Sequence, residues 1–586
     1  MFYRSIAEFE AEATPTAAER ALIAACRAGE PCILGDGTLP DAPHPSGADP
    51  TRTIRAALLR LLIVGGTTEC GLHPSGVWVI GAYVPDKLDL SFETGKGACR
   101  LENCRFTMEP QLAQTHLPQL AFNGSHLPGL FAPGCVIAGS MFLRNLTATG
   151  TVDVNGAKIG GQLVCDGATI DGADKMALNA QGVETSTDMF LGGLTATGTV
   201  DITGAKIGGI LAFTGATLNG AEGVAMYAQR VETGAGIILA GLNAMGTVYM
   251  NGAKIGGQLV FVGATLNGVG RDALMAQGLT VKGALFFRQL KCATGRVDMS
   301  SVQVGDLVDD MAAWPHVKGD LTLAGFTYDR ISGAAPVTLA ARRDWLRRGS
   351  NADTQFNPQP YTQFAKVLRG MGNAPEARKV LYERDCLLAD STFRNIRKNP
   401  EGTPYLPFEK PVIDLRSGFH LLADGLSRWV IGYGHKPWRS LIALTGLFAF
   451  AFWLAQCTWT EGSFAPNSDI VMTSQDWTLI SSLDCIGGLP EGYAEPCIQN
   501  PADRWSAKAA PGMDWDSFNA AAYAADLVIP ILDLGQTDAW APSKDRGPMG
   551  WWLWWLRWPL AASGWLVTAL GVAAITGIMQ RNSPEG

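Results

Sequence analysis

Between about Gly76 and Tyr328, apolar and polar residues alternate in short runs such as GVWVIGAYV, KLDLSF and ACRLENCRF, with turn-forming residues every ten or so positions. A period of two sends successive side chains to opposite faces of a strand. The region also repeats itself. A block of 48 residues starts at Leu146, Leu194 and Leu242 and opens with LTATGTVDVNGAKIGGQL, LTATGTVDITGAKIGGIL and LNAMGTVYMNGAKIGGQL; a degraded copy, LKCATGRVDMSSVQVGDL, follows from Leu290. Self-similarity at a fixed period of this size marks a solenoid.

Aligning the copies assigns the faces. Val152, Val200, Val248 and Val297 share one inward site, and Val154, Ile202, Met250 and Met299 the next. Asp153, Asp201, Tyr249 and Asp298 fall between them and should point outward. Ile159, Ile207, Ile255 and Val304 form a further inward ladder, as do Leu163, Leu211, Leu259 and Leu307. Cys165 aligns with Phe213 and Phe261, which makes it a core residue. Within a block, Ile159 and Val183, or Ile207 and Val231, play similar parts 24 residues apart. The predicted fold is therefore mainly β: a parallel β-helix over 75–330, with about 24 residues per coil, roughly ten coils and a length on the order of 50 Å. Gly156, Gly204 and Gly252 are the expected corners.

Helical periodicity flanks this region. Residues 1–74 contain AAERALIAACRAG and TRTIRAALLRLLIVGG and predict a cap over the open end of the stack. Residues 331–400 read as LAARRDWLRRG and then a hairpin broken at GMGNAP, with Tyr361, Phe364, Leu368, Ala377, Val380 and Leu381 facing one another. Over 401–439 a Pro-rich linker leads to a helix with Leu415, Phe419, Leu422, Leu426 and Trp429 on one stripe. That stripe suits either a lipid surface or the hairpin.

Two stretches without charge, 440–458 and 558–579, are long enough to cross about 30 Å of hydrocarbon. Trp551, Trp552, Trp554, Trp555 and Trp558 would form an interfacial belt, with Arg557 snorkelling there, so the second membrane segment is set at 551–579. Basic residues precede the first span (Arg416, Arg428, Lys436, Arg439) and follow the second (Arg581), which predicts that both termini are cytoplasmic and that the loop 459–550 lies outside. The first residues lack the apolar run of a secretory signal. On the oxidising side, Cys485 and Cys497 bracket CIGGLPEGYAEPC as a candidate disulfide or two free thiols. FNAAAYAADLVIPILDLGQTDAWAP is too short and too interrupted to span and reads as interfacial or re-entrant, with Asp526 and Asp533 as its polar residues.

The phrases GYGHKPWRSL, entering the first span, and YAADLVIPILDLGQTDAWAP, before the second, resemble the C-terminal module of a bacterial family in which a pentapeptide-like or β-helical cytoplasmic domain precedes two transmembrane helices. The resemblance implies the bacterial inner membrane, and with the hairpin it covers about the last 240 residues. The solenoid is similar in style only, because no five-residue period is present. Some relatives are labelled oxidoreductases, but the resemblance supplies no catalytic motif.

Candidate chemistry changes this picture little. A net charge of −8 gives no basic field for nucleic acid. Among 69 glycines there is no GxGxxG and no GxxxxGK[ST], so no nucleotide cofactor is expected. Seven scattered histidines and the absence of CxxC give no metal site, and Cys99 and Cys104 read as core and turn residues. Asp153, Asp201 and Asp298, with Lys158, Lys206 and Lys254 beside them, form rows whose equivalents two coils apart should lie about 9.6 Å from one another. Carboxylates that hydrolyse a polysaccharide with inversion need about 6.5–9.5 Å, but duplication alone also produces such a row. Gln181, Gln229 and Gln277 form a similar row, expected to stack amide on amide. The expectation is a membrane-anchored scaffold or protein-interaction module without catalysis, its interaction face built from Asp153, Asp201, Tyr249, Asp298 and the three lysines. Its partners would be membrane lipid, a protein, and a second copy through small residues such as GVAAITG. An oligomeric channel or sensor is the second reading, and a carbohydrate-active or redox enzyme the third.

Overall fold

Parallel strands stack coil on coil from Cys32 to Ile331, forming a β-solenoid of about 11 turns. The computed structural model describes residues 3–12, 14–41, 49–66, 71–353, 355–397, 410–482 and 500–576, in two units, Met1–Val380 and Leu381–Gly586. The predicted β-helix with helical caps is thus present, and the glycine corners are where the sequence places them: Gly156, Gly204 and Gly252 have φ of 64°, 70° and 65°.

The coil length alternates. Val136 pairs with Lys158, Lys158 with Glu184, Glu184 with Lys206 and Lys206 with Glu232, steps of 22, 26, 22 and 26 residues. Each long coil carries four extra residues in TIDGADKMALN, TLNGAEGVAMY or TLNGVGRDALM, where the register against the next coil slips. A Cβ on Gly172 or Gly220 would lie 2.2 Å from the carbonyl oxygen of Met176 or Val224, so the excursion folds back too tightly for a side chain. The expected pairing at 24 residues is therefore corrected. Ile159 lies beside Thr185 rather than Val183, and Ile207 beside Thr233 rather than Val231. The error is two residues, so every side chain keeps its face.

The core is built from these ladders. Ile159, Thr185, Ile207, Thr233, Ile255 and Val281 form one, all buried. Cys165, Leu191, Phe213, Leu239, Phe261 and Phe287 form another, fully buried. Cys165 is fully buried, as expected, and so are both Cys99 and Cys104, of which one was expected at a turn; burial pushes all three thiols up to about 12. At one end, helices Ala17–Ala28 and Ala56–Val64 pack on the first strands, with Leu22, Leu58 and Leu62 buried. At the other, Phe287 meets Trp314 at 4.4 Å, and Trp314 meets Trp345 of the helix Leu339–Gly349 at 5.6 Å. The next site of the Phe ladder is Asp309, which Arg342 of that helix grips through both oxygens (3.0 and 2.6 Å). The hairpin follows as predicted, Gln359–Gly370 and Ala374–Arg397, with its facing stripe buried.

The second unit contains two helices long and apolar enough to cross a membrane, Trp438–Thr460 and Pro548–Ile575. The second starts ten residues before Trp558, at a proline in the first helical turn, so the Trp cluster lies within the helix. The short helix Ala520–Val528 packs against both, and Phe464, Trp505, Tyr523 and Trp540 form the core beside it, with the half-buried Trp459 packed against them. The glycines of the second long helix serve this packing. A Cβ on Gly550 would lie 2.3 Å from the Ser543 carbonyl, on Gly564 1.9 Å from that of Val528, and on Gly571 2.7 Å from the Ser440 hydroxyl. The stripe of helix Lys410–Leu426 is uncovered: Leu415, Phe419 and Leu422, with Trp429 just beyond, are each more than 70% exposed, while the helix meets the second helix of the hairpin through His420, 6.3 Å from the Phe393 ring.

Candidate functional site: a glycine-floored groove on the solenoid

The phrase KIGG, repeated at Lys158, Lys206 and Lys254, turns the chain between two short strands. The lysine faces out and the isoleucine in, and the glycines occupy a corner where neighbouring coils nearly touch. A Cβ on Gly160 would stand 2.0 Å from the carbonyl oxygen of Ala138, on Gly208 2.1 Å from that of Ser186, and on Gly234 2.1 Å from that of Gly208. Only glycine fits at these three positions, which share the row with the small residues Ala138 and Ser186, and a row of corners with so little side chain leaves a furrow along the stack. It encloses about 720 Å³ between Val136 and Gly234.

One rim of this groove is charged in alternation. Lys158, Glu184, Lys206, Glu232 and Lys254 occupy one register position in five successive coils. Lys206 pairs with Glu184 at 3.2 Å and Lys254 with Glu232 at 2.8 Å. The hydrogen bond and charge of Lys254 hold the Glu232 carboxyl below its usual range, and Glu232 in turn raises Lys254. The two glutamates were missed from the sequence because a 24-residue coil misaligns them with the lysines. Their signal was present, in the repeated VET of QGVETST and QRVETGA.

The aspartate row behaves differently. Asp153, Asn179, Asp201, Tyr227, Tyr249, Met275 and Asp298 are successive members of one position. Asp201 and Asp298 are only 5% and 4% exposed, which corrects the expectation that they present their carboxylates outward. Each instead closes its own turn, accepting from the backbone N–H two residues on: Asn155 for Asp153, Thr203 for Asp201 and Ser300 for Asp298, all at 2.9 Å. Gln181 and Gln277 donate to Asp201 (2.5 Å) and Asp298 (3.0 Å), so these amides bond to carboxylates rather than to one another. Tyr249, the residue that breaks the aspartate pattern, stacks on Tyr227 at 5.3 Å. Of the seven residues of the expected interaction face, Asp201 and Asp298 are thus buried, Asp153 and Tyr249 are half-buried, and the three lysines are exposed.

The polar residues of the apolar segment are also placed. Asp526 accepts from the backbone N–H groups of Leu534, Gln536 (2.7 Å) and Thr537 (3.2 Å), pinning the chain that turns back after helix Ala520–Val528. Asp533 accepts one long bond, from Gly535 at 3.3 Å. The candidate disulfide Cys485–Cys497 lies outside the described residues. Among the described residues no cluster of histidine, cysteine or carboxylate could hold a metal.

No family model, curated protein or solved structure matches this chain. Its class is defined by architecture: a β-solenoid followed by a unit with two long apolar helices.

Proposed function

We propose that this protein is a membrane-anchored scaffold whose solenoid presents the glycine-floored groove to a protein partner. One observation carries the reading. The conspicuous repeats of the solenoid are occupied in stacking its coils, whereas the Lys/Glu rim is exposed beside an open furrow. Solenoids use such extended faces for binding. The two long helices serve as the anchor: only 22% and 28% of their apolar windows are buried, and Leu441, Ile442, Trp453, Trp558 and Trp565 stand outward. The basic residues before the first span favour a cytoplasmic solenoid and an outer segment 459–550 at a bacterial inner membrane. The aspartates of the solenoid, engaged in turns and with glutamine amides, favour binding over catalysis.

The test uses the full chain in its native membrane. A photo-crosslinking residue at Ser186 should give a discrete adduct that the triple variant Lys158→Glu, Lys206→Glu, Lys254→Glu loses. The same probe at Arg230, outside the groove lining, should give none. Equal adducts at both positions, or an adduct indifferent to charge reversal, would refute the groove. Release of the protein by alkaline carbonate would refute the anchor.

A further inference from the structure

Arg557 in the second long helix has no carboxylate partner among the described residues. Arg557 sits nine residues beyond Pro548, between the rings of Trp554 (5.3 Å) and Trp558 (4.8 Å). Its Nε is buried with no hydrogen-bond acceptor, and no carboxylate among the described residues pairs with it. A guanidinium does not give up its proton, so an arginine held in apolar surroundings requires an anion from elsewhere. Lys544, 5.8 Å from the Trp554 ring, adds a second cation at that level.

Eleven residues further along is Thr568. At 100° per residue it lies about 20° from Arg557 around the helix axis and about 16 Å along it, on the same face. There the helix forms one wall of an apolar cleft of about 380 Å³, lined by Trp565, Thr568, Ala569 and Val572 and closed by Pro530 and Ile531 from the chain following helix Ala520–Val528. Ile531 and Trp565 remain exposed at 81% and 64%, so the cleft opens sideways, toward whatever surrounds the helix.

A cation at the level of a tryptophan belt, with an apolar cleft below it on the same face, has the layout of an amphiphile with an anionic head. We infer that this face binds one phospholipid, its phosphate on Arg557 and an acyl chain in the cleft. The inference rests on the membrane reading above. A second copy of the chain fits less well, because Gly550, Gly564 and Gly571, which would let another helix approach closely, already face Ser543, Val528 and Ser440 of the same chain.

The measurement is native mass spectrometry of the detergent-purified full chain, titrated with phosphatidylglycerol and, separately, with diacylglycerol, which has the chains but no phosphate. Arg557→Gln should weaken phosphatidylglycerol binding about tenfold or more, the worth of a charged hydrogen bond, and leave diacylglycerol unchanged. Ala569→Phe fills the cleft from an exposed position and should weaken both. An unchanged phosphatidylglycerol affinity in either variant, at an unchanged melting temperature, overturns the site. If Arg557→Gln unfolds the protein, Arg557→Lys replaces it, with the same lipid contrast expected in weaker form. Failure of the membrane reading is read separately, as release of the wild-type protein by carbonate in the absence of detergent.

Discussion

Replacing Arg342 by methionine should open the solenoid at its C-terminal end. Asp309 occupies the site where the preceding coil places Phe287, and both members of the Asp309–Arg342 pair have fully buried side chains. Arg342 also donates from Nε to the Pro336 carbonyl at 2.6 Å, while Asp309 accepts from the Trp314 indole at 2.8 Å. Removing the guanidinium strands a carboxylate in an apolar column, a change that costs about 3–5 kcal/mol. That corresponds to roughly 10²- to 10³·⁷-fold in the opening equilibrium. Because a solenoid is held by nearest-neighbour contacts, the loss should stay local, in the coils 303–309 and 321–331 and the helix Leu339–Gly349.

Hydrogen exchange read by mass spectrometry separates this from global unfolding. Peptides from 303–349 should lose protection by two or more orders of magnitude in Arg342→Met, with peptides from 150–215 unchanged. The double variant Asp309→Leu, Arg342→Met removes both charges and fills the column with apolar groups, so it should recover most of the protection. Two results would refute the reasoning: a single variant that loses less than about 1 kcal/mol, or a double variant as open as the single one.

Gly208→Ala brings a methyl to 2.1 Å from the Ser186 carbonyl, a backbone atom that cannot swing away, and should cost up to about 3 kcal/mol in thermal unfolding. An unchanged melting temperature would mean that the corner is looser than described. Asp526→Ala removes the acceptor of three backbone N–H groups and should cost at least about 2 kcal/mol, Asp526→Asn less, and Asp533→Asn little; equal effects at 526 and 533 in detergent melts would contradict this. Cys99, Cys104, Cys135 and Cys165, pushed up to about 12, are about one part in ten thousand thiolate at pH 8, so maleimide should label none of them before urea is added. Their folded pKa lies above the unfolded value, so rising pH disfavours the fold only beyond the ordinary thiol range, and labelling of native Cys165 at pH 8 would sink its core assignment.

Much of the fold was legible because a β-solenoid writes its core as a period. Val152, Val200 and Val248 announce one ladder, and Leu163, Leu211 and Leu259 another, whatever the exact coil length. Coil length itself was not legible. A duplicated unit of 48 residues fixes only the sum of two coils, and four residues folded back at Gly172, Gly220 and Gly268 divide that sum as 22 and 26. Two residues of misregister preserve the inside and outside of every strand, so the hydrophobic pattern cannot detect the error. It does change which residues neighbour one another across coils, and Glu184 and Glu232 were lost from the site for that reason.

The same register explains why recurrence alone does not point to function. Asp201 and Lys206 repeat at the same period, five residues apart, yet Asp201 is buried and saturated by Thr203 and Gln181, whereas Lys206 stands in solvent. What separates them is whether the chain satisfies the group itself. By that criterion the rim is uneven. Lys206 and Lys254 each find a glutamate in the preceding coil, but the coil before Lys158 offers Val136, and Lys158 has no ion pair among the described residues. Three lysines against two glutamates leave one positive charge, and the pairing places it at Lys158, the N-terminal end of the row. An acidic group on a partner would there meet a cation without an ion pair, since Glu184 in the next coil bonds Lys206 instead, whereas at Lys206 or Lys254 it would have to displace a glutamate. Most of the effect of the triple lysine reversal should therefore come from Lys158 alone.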